Sequence, residues 1–378
     1  MRLLFLSSDP GVPVLGHKGA SVHVRELVRA LNEAGADVHV ASPRVEPEGD
    51  RLDARVALHP IAPVLPKLHA DEAALAATVD RQAGEVLALA RRLRVDAIYE
   101  RFSLYTAAGA RAAATLGIPH VVEVNAPLRE EATRFRTLPH PGAAVLLERE
   151  SLAAAERVLA VSEPLARRLV SEGLGADRVE VLPNAVDCAR FAPPAPDSER
   201  FVVGFAGSLK RWHGIDVLVE AIAAVPDAHL EVVGHGPCLE LLDALPPVRV
   251  TRLGTLPHSE AIAAMARWHV GVAPYLALDG FWFSPLKVLE YMAAGCCPVV
   301  SDLGDARLVL GDGRRGVLVP PGDAHALADA LRALCRDRAG ARRMGSAARA
   351  WVAAERSWTA VAGRVLEALG GQALGEAA

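Results

Sequence analysis

Short apolar runs and longer helix-patterned stretches alternate along this chain, stop at a proline-rich segment, and then start again. A brief β-rich run followed by a longer amphipathic stretch is the unit from which parallel sheets with crossover helices are made. In the first half, strands are expected at 2–7, 37–42, 97–100, 120–124, 157–161 and 179–182. Helices are expected between them at 20–33, 73–93, 106–115, 143–154 and 163–172. Gly35 and Gly117 fall where two of these helices must end, because glycine accepts the left-handed cap conformation without steric cost.

The run Phe191-Ala192-Pro193-Pro194-Ala195-Pro196-Asp197 cannot build a helix, since proline has no N–H to give and its ring clashes with the preceding turn. It reads as a linker. Beyond it, strands at 201–205, 230–233, 248–253, 270–274, 298–301 and 317–319 alternate with helices at 215–225, 259–266, 285–294 and 324–335. Stretches 342–355 and 358–369 read as terminal helices. The restart implies an α/β protein of two similar domains, 1–185 and 186–357, followed by a last helix and tail over 358–378. Ligands of such sheets bind outside the carboxyl ends of their strands.

Composition narrows the function. A chain of 378 residues exceeds one ordinary core, and 51% apolar with 23% charged residues is globular. The net charge is -4 with both signs dispersed, so no basic stripe marks a nucleic-acid surface. No apolar run approaches the roughly 18 residues of a membrane span, and the first run is too short for a signal-peptide core. The 5 cysteines are odd in number and lack metal-ligand spacing, and adjacent Cys296 and Cys297 read as small buried residues. The expectation is a reduced, cytoplasmic protein without metal or cofactor.

Chemistry enters through lysine. Of 41 basic side chains only Lys18, Lys67, Lys210 and Lys287 are lysine, and all but Lys67 lie in glycine- or proline-bearing turns between a strand and a helix. Such turns offer free backbone N–H groups and a positive helix end, which suit phosphate. In the first turn, Gly16 and Gly19 let backbone approach a ligand beside Lys18; the glycine spacing is not the dinucleotide fingerprint. In the second, Gly207 and Ser208 can lie against a diphosphate with Lys210 and Arg211 beside it. In the third, Ser284 as N-cap and Pro285 at the first helical position start a helix whose Leu286 and Lys287 amides point toward an anion. Glu290 follows Lys287 by one turn, where it can accept two ribose hydroxyls or pair with that lysine.

These stretches, in order and spacing, resemble the retaining GT-B-fold glycosyltransferases of glycosyltransferase family 4 over almost the whole chain. The matching residues are Lys18-Gly19-Ala20-Ser21-Val22-His23, Val161-Ser162-Glu163, Pro183-Asn184-Ala185-Val186-Asp187, Gly207-Ser208-Leu209-Lys210, Val233-Gly234-His235-Gly236-Pro237, Ala273-Pro274-Tyr275, and Ser284-Pro285-Leu286-Lys287 through Glu290 to Gly295. The resemblance implies two Rossmann-like domains with parallel sheets facing a central cleft. It also implies a metal-independent hexosyl transfer from a nucleotide-diphosphate sugar, UDP- or GDP-linked, to an acceptor held by the N-terminal domain. Position by position it places Gly19 near the diphosphate, Lys210 on the phosphates, Glu290 on the ribose, and Asn125 where the family has a histidine near the donor sugar. Ser208 and His213 stand where the family has arginine and lysine, and Trp282 where it has the first of two glutamates.

Lys210, Lys287 and Asn125 are therefore the expected catalytic residues, with Lys18, Gly19, Gly207, Ser208, Arg211, Trp282, Ser284, Leu286 and Glu290 expected to bind the donor. A protein base is not required; if one exists Glu100 and Glu123 are the candidates, although a carboxylate at a strand end is more often structural. The expected acceptor is a small soluble metabolite or natural-product intermediate, with the 62–67 and 129–141 loops shaping its site. A nucleotide-sugar epimerase and a non-catalytic sugar-nucleotide-binding subunit remain as alternatives.

Overall fold

The computed structural model describes residues 1–46, 52, 55–192, 199–277 and 286–370. They form two compact units, Met1–Pro183 together with Trp358–Ala378, and Asn184–Ser357. In the first unit β1 (Arg2–Ser7), β2 (Asp37–Ser42), β3 (Ala57–Pro60), β4 (Ala97–Arg101), β5 (His120–Val124), β6 (Arg157–Ala160) and β7 (Val179–Val181) make one sheet in the order β3-β2-β1-β4-β5-β6-β7. Every ladder in it is parallel. Its helices are α1 (Gly19–Glu33), α2 (Glu72–Leu93), α3 (Ala108–Leu116), α4 (Leu128–Phe135), α5 (Pro141–Ala154) and α6 (Glu163–Ser171).

The second unit repeats the plan. Strands β8 (Phe201–Ala206), β9 (Ala228–Val233), β10 (Val250–Gly254), β11 (Val270–Ala273), β12 (Cys297–Ser301) and β13 (Val317–Val319) lie in the order β10-β9-β8-β11-β12-β13, again all parallel. Around them lie α7 (Ile215–Ala223), α8 (His258–Met265), α9 (Leu286–Ala294), α10 (Ala306–Leu310), α11 (Ala324–Arg336) and α12 (Arg338–Glu355). The last helix, α13 (Trp358–Ala368), returns to the first unit, where it packs on α1. Trp358 meets the His23 ring edge-on at 5.1 Å, and Arg364 donates to the Val181 carbonyl at 2.9 Å.

Both sheets carry continuous apolar strands because both faces are covered. Leu3, Leu4, Phe5 and Leu6 of β1, and Phe201, Val203 and Phe205 of β8, have no exposed surface. In each sheet the strand order reverses beside the first strand, between β1 and β4 and between β8 and β11. Loops leaving those strands diverge, and the crevice they leave is where α/β sheets bind ligands.

Three elements depart from the sequence expectation. Residues 129–141 were expected as a loop, yet α4 occupies most of the stretch; Glu130 and Glu131 in its first turn and Arg134 in its last complement the helix dipole. The edge strand β3 is only 4 residues, Ala-Leu-His-Pro, too short to show a period, and its terminal proline is tolerated at an edge. The 5-residue helix α10 is likewise too brief for a periodic signal. Gly35 and Gly117 do adopt positive φ, 89° and 66°, at the ends of α1 and α3.

Candidate active site

The second sheet's reversal point holds the densest chemistry. β8 ends at Ala206 and the chain turns at Gly207 with φ 137°, a conformation that side chains rarely take. The turn also brings Lys287 close: a Cβ here would lie 2.8 Å from its Nζ and would push the lysine tip aside. The turn is pinned from below, as Gly207 N–H donates to the Val233 carbonyl at 2.9 Å and Leu209 N–H to that of His235 at 3.1 Å. Gly234 permits this approach, since its Cβ would fall 2.0 Å from the Gly207 oxygen.

Lys287 reaches this turn from α9. That helix is fixed by Tyr291, which fills the space left by Gly271 and accepts the Ala206 N–H at 2.9 Å. One turn earlier, Lys287 Nζ lies 4.3 Å from the Phe205 ring centre and 5.3 Å from that of Tyr275. The lysine stem is partly exposed, but Nζ is buried and has no hydrogen-bond partner among the described residues. Burial pushes the ammonium down to about 7, against the pull of Glu290. A buried cation without a counter-charge is costly unless an anion arrives.

His213 completes the floor of this site. It lies in the 3-10 turn Arg211–His213, after Lys210 and before Gly214, which has φ 66°. Its ring meets Tyr275 edge-on at 5.4 Å, and Nδ1 bonds the Ser208 carbonyl. A carbonyl can only accept, so Nδ1 carries the proton. Burial, then the charges of Lys287 and Lys210, push His213 down to about 3 despite that carbonyl. The ring is therefore neutral where the family has a cation. Lys210 itself is exposed, with Nζ 4.7 Å from the Trp212 ring centre, and Arg211 beside it is exposed as well.

Glu290 does not pair with Lys287. Its Oε1 lies 2.7 Å from His258 Nε2, a residue on α8 that sequence reasoning passed over. The two are 32 positions apart, so no local spacing announces them. That Phe205 and Tyr275 wall in the ammonium was hidden for the same reason. Leu286 begins α9, while Trp282 and Ser284 lie outside the described residues.

In the first unit Lys18 caps α1 with its backbone and sends Nζ to the Gly11 carbonyl at 2.8 Å; Gly19 is the first helical residue. Buried Arg25 holds the preceding loop through the Val14 carbonyl at 3.2 Å and that of Gly16. Asn125 follows β5 and donates to Glu123. Glu123 is buried and saturated: His23 Nε2 lies 2.8 Å from Oε1, Arg101 3.3 Å from Oε1, and the Tyr99 hydroxyl donates to Oε2. Burial alone would raise its pKa, but His23, Arg101 and Tyr99 together hold it at about 2. Glu100 is equally enclosed, 3.0 Å from His120 and capped by Gly109, whose Cβ would lie 2.1 Å from it. Neither carboxylate is open to a ligand, so both read as structural.

Tyr99→Phe is accordingly expected to cost about 1.5–3 kcal/mol of stability, the range for a hydrogen bond to a charged group. Urea unfolding measures it, and an unchanged midpoint would show that the hydroxyl contributes nothing.

A glycine turn and a buried ammonium with no hydrogen-bond partner among the described residues thus meet at the strand-reversal point of a parallel α/β unit, one of two such units in the chain. The family description "Glycosyltransferase Family 4" matches residues 17–190, and "Glycosyl transferases group 1" matches residues 200–337. The chain belongs to the family 4, group 1 glycosyltransferases, and it is a glycosyltransferase of the GT-B fold.

Phosphatidyl-myo-inositol mannosyltransferase of Mycolicibacterium smegmatis is 36% identical over 190 residues, or 47% of this chain and 48% of that one. The match thus spans about half the length of that relative. D-inositol 3-phosphate glycosyltransferase of Pseudarthrobacter chlorophenolicus is 28% identical over 381 residues, covering 92% of this chain and 89% of that one. Among solved structures, sucrose-phosphate synthase from Thermosynechococcus elongatus superposes with a TM-score of 0.77 at 21% identity, covering 97% of this chain and 98% of that one. The Anabaena protein HepE in complex with UDP-glucose gives 0.73 at 20%, covering 98% and 99%. No helix among the described residues is long and apolar enough to cross a membrane.

Proposed function

We propose that this protein transfers a hexosyl group, with retention of anomeric configuration and without a metal, from a nucleoside-diphosphate sugar to a hydroxyl of a small soluble acceptor. One observation carries the donor assignment: Lys287 Nζ is buried against Gly207 with no partner among the described residues. A diphosphate supplies the missing counter-charge. As the sugar–phosphate bond breaks, negative charge grows on the leaving diphosphate, and the ammonium together with the α9 amides stabilises it more than in the ground state. The enclosure of Glu100 and Glu123 favours the retaining course, in which the departing phosphate oxygen takes the acceptor's proton on the face it leaves. Glu290 accepts the ribose hydroxyls through its second oxygen. Lys18, Gly19 and Asn125 are the ligand contacts of the first unit.

The acceptor reading draws on the near-full-length relative, named for D-inositol 3-phosphate. Cyclitol phosphates and other small polyols are therefore the first acceptors to test. UDP, GDP, dTDP and ADP sugars, screened by thermal shift and then incubated with these acceptors in EDTA, test the whole proposal. NMR of the product's anomeric proton reads retention. Donor hydrolysis or epimerisation with no glycoside formed, or dependence on added metal, overturns it. Within that assay Lys210→Ala is expected to lower kcat/KM only about tenfold, because an exposed charge is screened by solvent and salt. A loss beyond a hundredfold would make Lys210 the principal cation instead.

A further inference from the structure

His258 has no part in the reading so far, yet its place is specific. It opens α8 directly after Pro257, its side chain is 10% exposed, and Nε2 lies 2.7 Å from Glu290 Oε1. Its other nitrogen, Nδ1, is buried with no partner among the described residues. Among those residues, Glu290 is thus the ring's single hydrogen-bond partner, and it is held through Oε1. A solvated surface histidine would not surrender one nitrogen in order to hold one carboxylate oxygen.

We infer that His258 is a positioning residue for the donor's ribose: it holds Glu290 Oε1 so that Oε2 remains as the acceptor for the ribose hydroxyls. The inference rests on the proposed role of Glu290. The geometry gives the histidine two effects. A glutamate has three side-chain torsions to freeze, and a partner that freezes them beforehand removes that cost from binding. Glu290 also lies one turn after Lys287, within reach of its ammonium. Without His258 the carboxylate is free to swing onto Lys287 and neutralise the charge that the diphosphate needs. By anchoring Oε1 on α8, the histidine keeps anion site and hydroxyl site separate.

The test uses the full chain and compares UDP, GDP and ADP with their 2′-deoxy counterparts by calorimetry, reading the ratio of dissociation constants for the pair that binds most tightly. In the parent protein the ribonucleotide is preferred. Glu290→Ala is expected to bring the ratio close to one. His258→Phe, which keeps a ring of similar volume without a donor, is expected to shrink the ratio roughly three- to tenfold and to raise KM for the nucleotide sugar while kcat changes less than twofold. His258→Gln, whose amide N–H can reach the carboxylate, restores most of the preference. Should the phenylalanine variant fail to fold, His258→Ala against His258→Gln gives the same comparison. An unchanged ratio in the His258 variants beside a collapsed one in Glu290→Ala overturns the role of His258 alone. An unchanged ratio in Glu290→Ala overturns the ribose reading, and the inference with it.

Discussion

Lys287→Met is expected to lower kcat/KM for the nucleotide sugar by about a hundred- to a thousandfold, the usual loss when one preorganised charge-stabilising group is removed. The same change is expected to raise the unfolding temperature of the free protein. Both follow from one geometry. Nζ sits 4.3 Å from the Phe205 ring centre and beside the Gly207 turn, buried and without a partner among the described residues. In the free enzyme the ammonium has lost its water, and the attraction of the ring faces and of Glu290 does not make up for that loss. Between pH 7 and 10.5 the unfolded chain carries a proton that the folded chain has released, so this lysine opposes folding there and stability rises with pH across the window. Methionine fills the same channel without charge and removes that cost; each kcal/mol recovered is worth about 2–4 °C. Steady-state kinetics and thermal unfolding on one preparation check the pair. Turnover within threefold of the parent would remove Lys287 from the mechanism, and a falling midpoint would mean that the site is already neutralised.

The sequence showed the parts of this site that depend on local order. Gly207 and Lys287 stand out because glycine turns and rare lysines recur at strand-to-helix junctions, and parallel sheets force those junctions onto one edge. Strand and helix alternation disclosed both α/β units for a similar reason, since each apolar run is continuous where a strand is covered on both faces. What stayed hidden is set by distance along the chain. The partnership of His258 with Glu290 joins α8 to α9, and the enclosure of Lys287 by Phe205 and Tyr275 joins α9, β8 and the loop after β11; neither leaves a periodic trace. His213 was visible only as a replacement for lysine. That it is neutral follows from its bond to the Ser208 carbonyl and from the cations beside it, which no pattern of residues displays. Glu123 was open to two readings, as a base or, more often for a carboxylate at the end of a strand, as a structural group; its partners His23, Arg101 and Tyr99 are what mark it as a buried strut.

Donor binding is expected to take up a proton above pH 7, so that affinity for a nucleotide sugar falls as pH rises, approaching tenfold per pH unit between about pH 7.5 and 9.5. The nucleotide sugar is the right probe because each of its phosphates carries one ester and the shared anhydride bridge and has no proton to lose in that range, unlike the terminal phosphate of a free nucleoside diphosphate. Lys287 supplies the proton site: burial holds the empty ammonium at about 7, and two negative charges arriving beside Nζ raise it again. Below pH 7 the lysine is already charged and affinity levels off. His213, held at about 3 by burial and by Lys287 and Lys210, stays neutral in this window and adds no slope of its own. Glu290 pulls Lys287 upward, so Glu290→Gln is expected to move the onset of the decline to lower pH. Lys287→Arg keeps its charge at every pH tested and is expected to flatten the profile. Calorimetry in buffers of differing ionisation heat counts the protons directly. A count of zero at pH 8.5 in the parent, or a slope that persists in the arginine variant, would assign the titration to some other group and leave the buried ammonium without its anion.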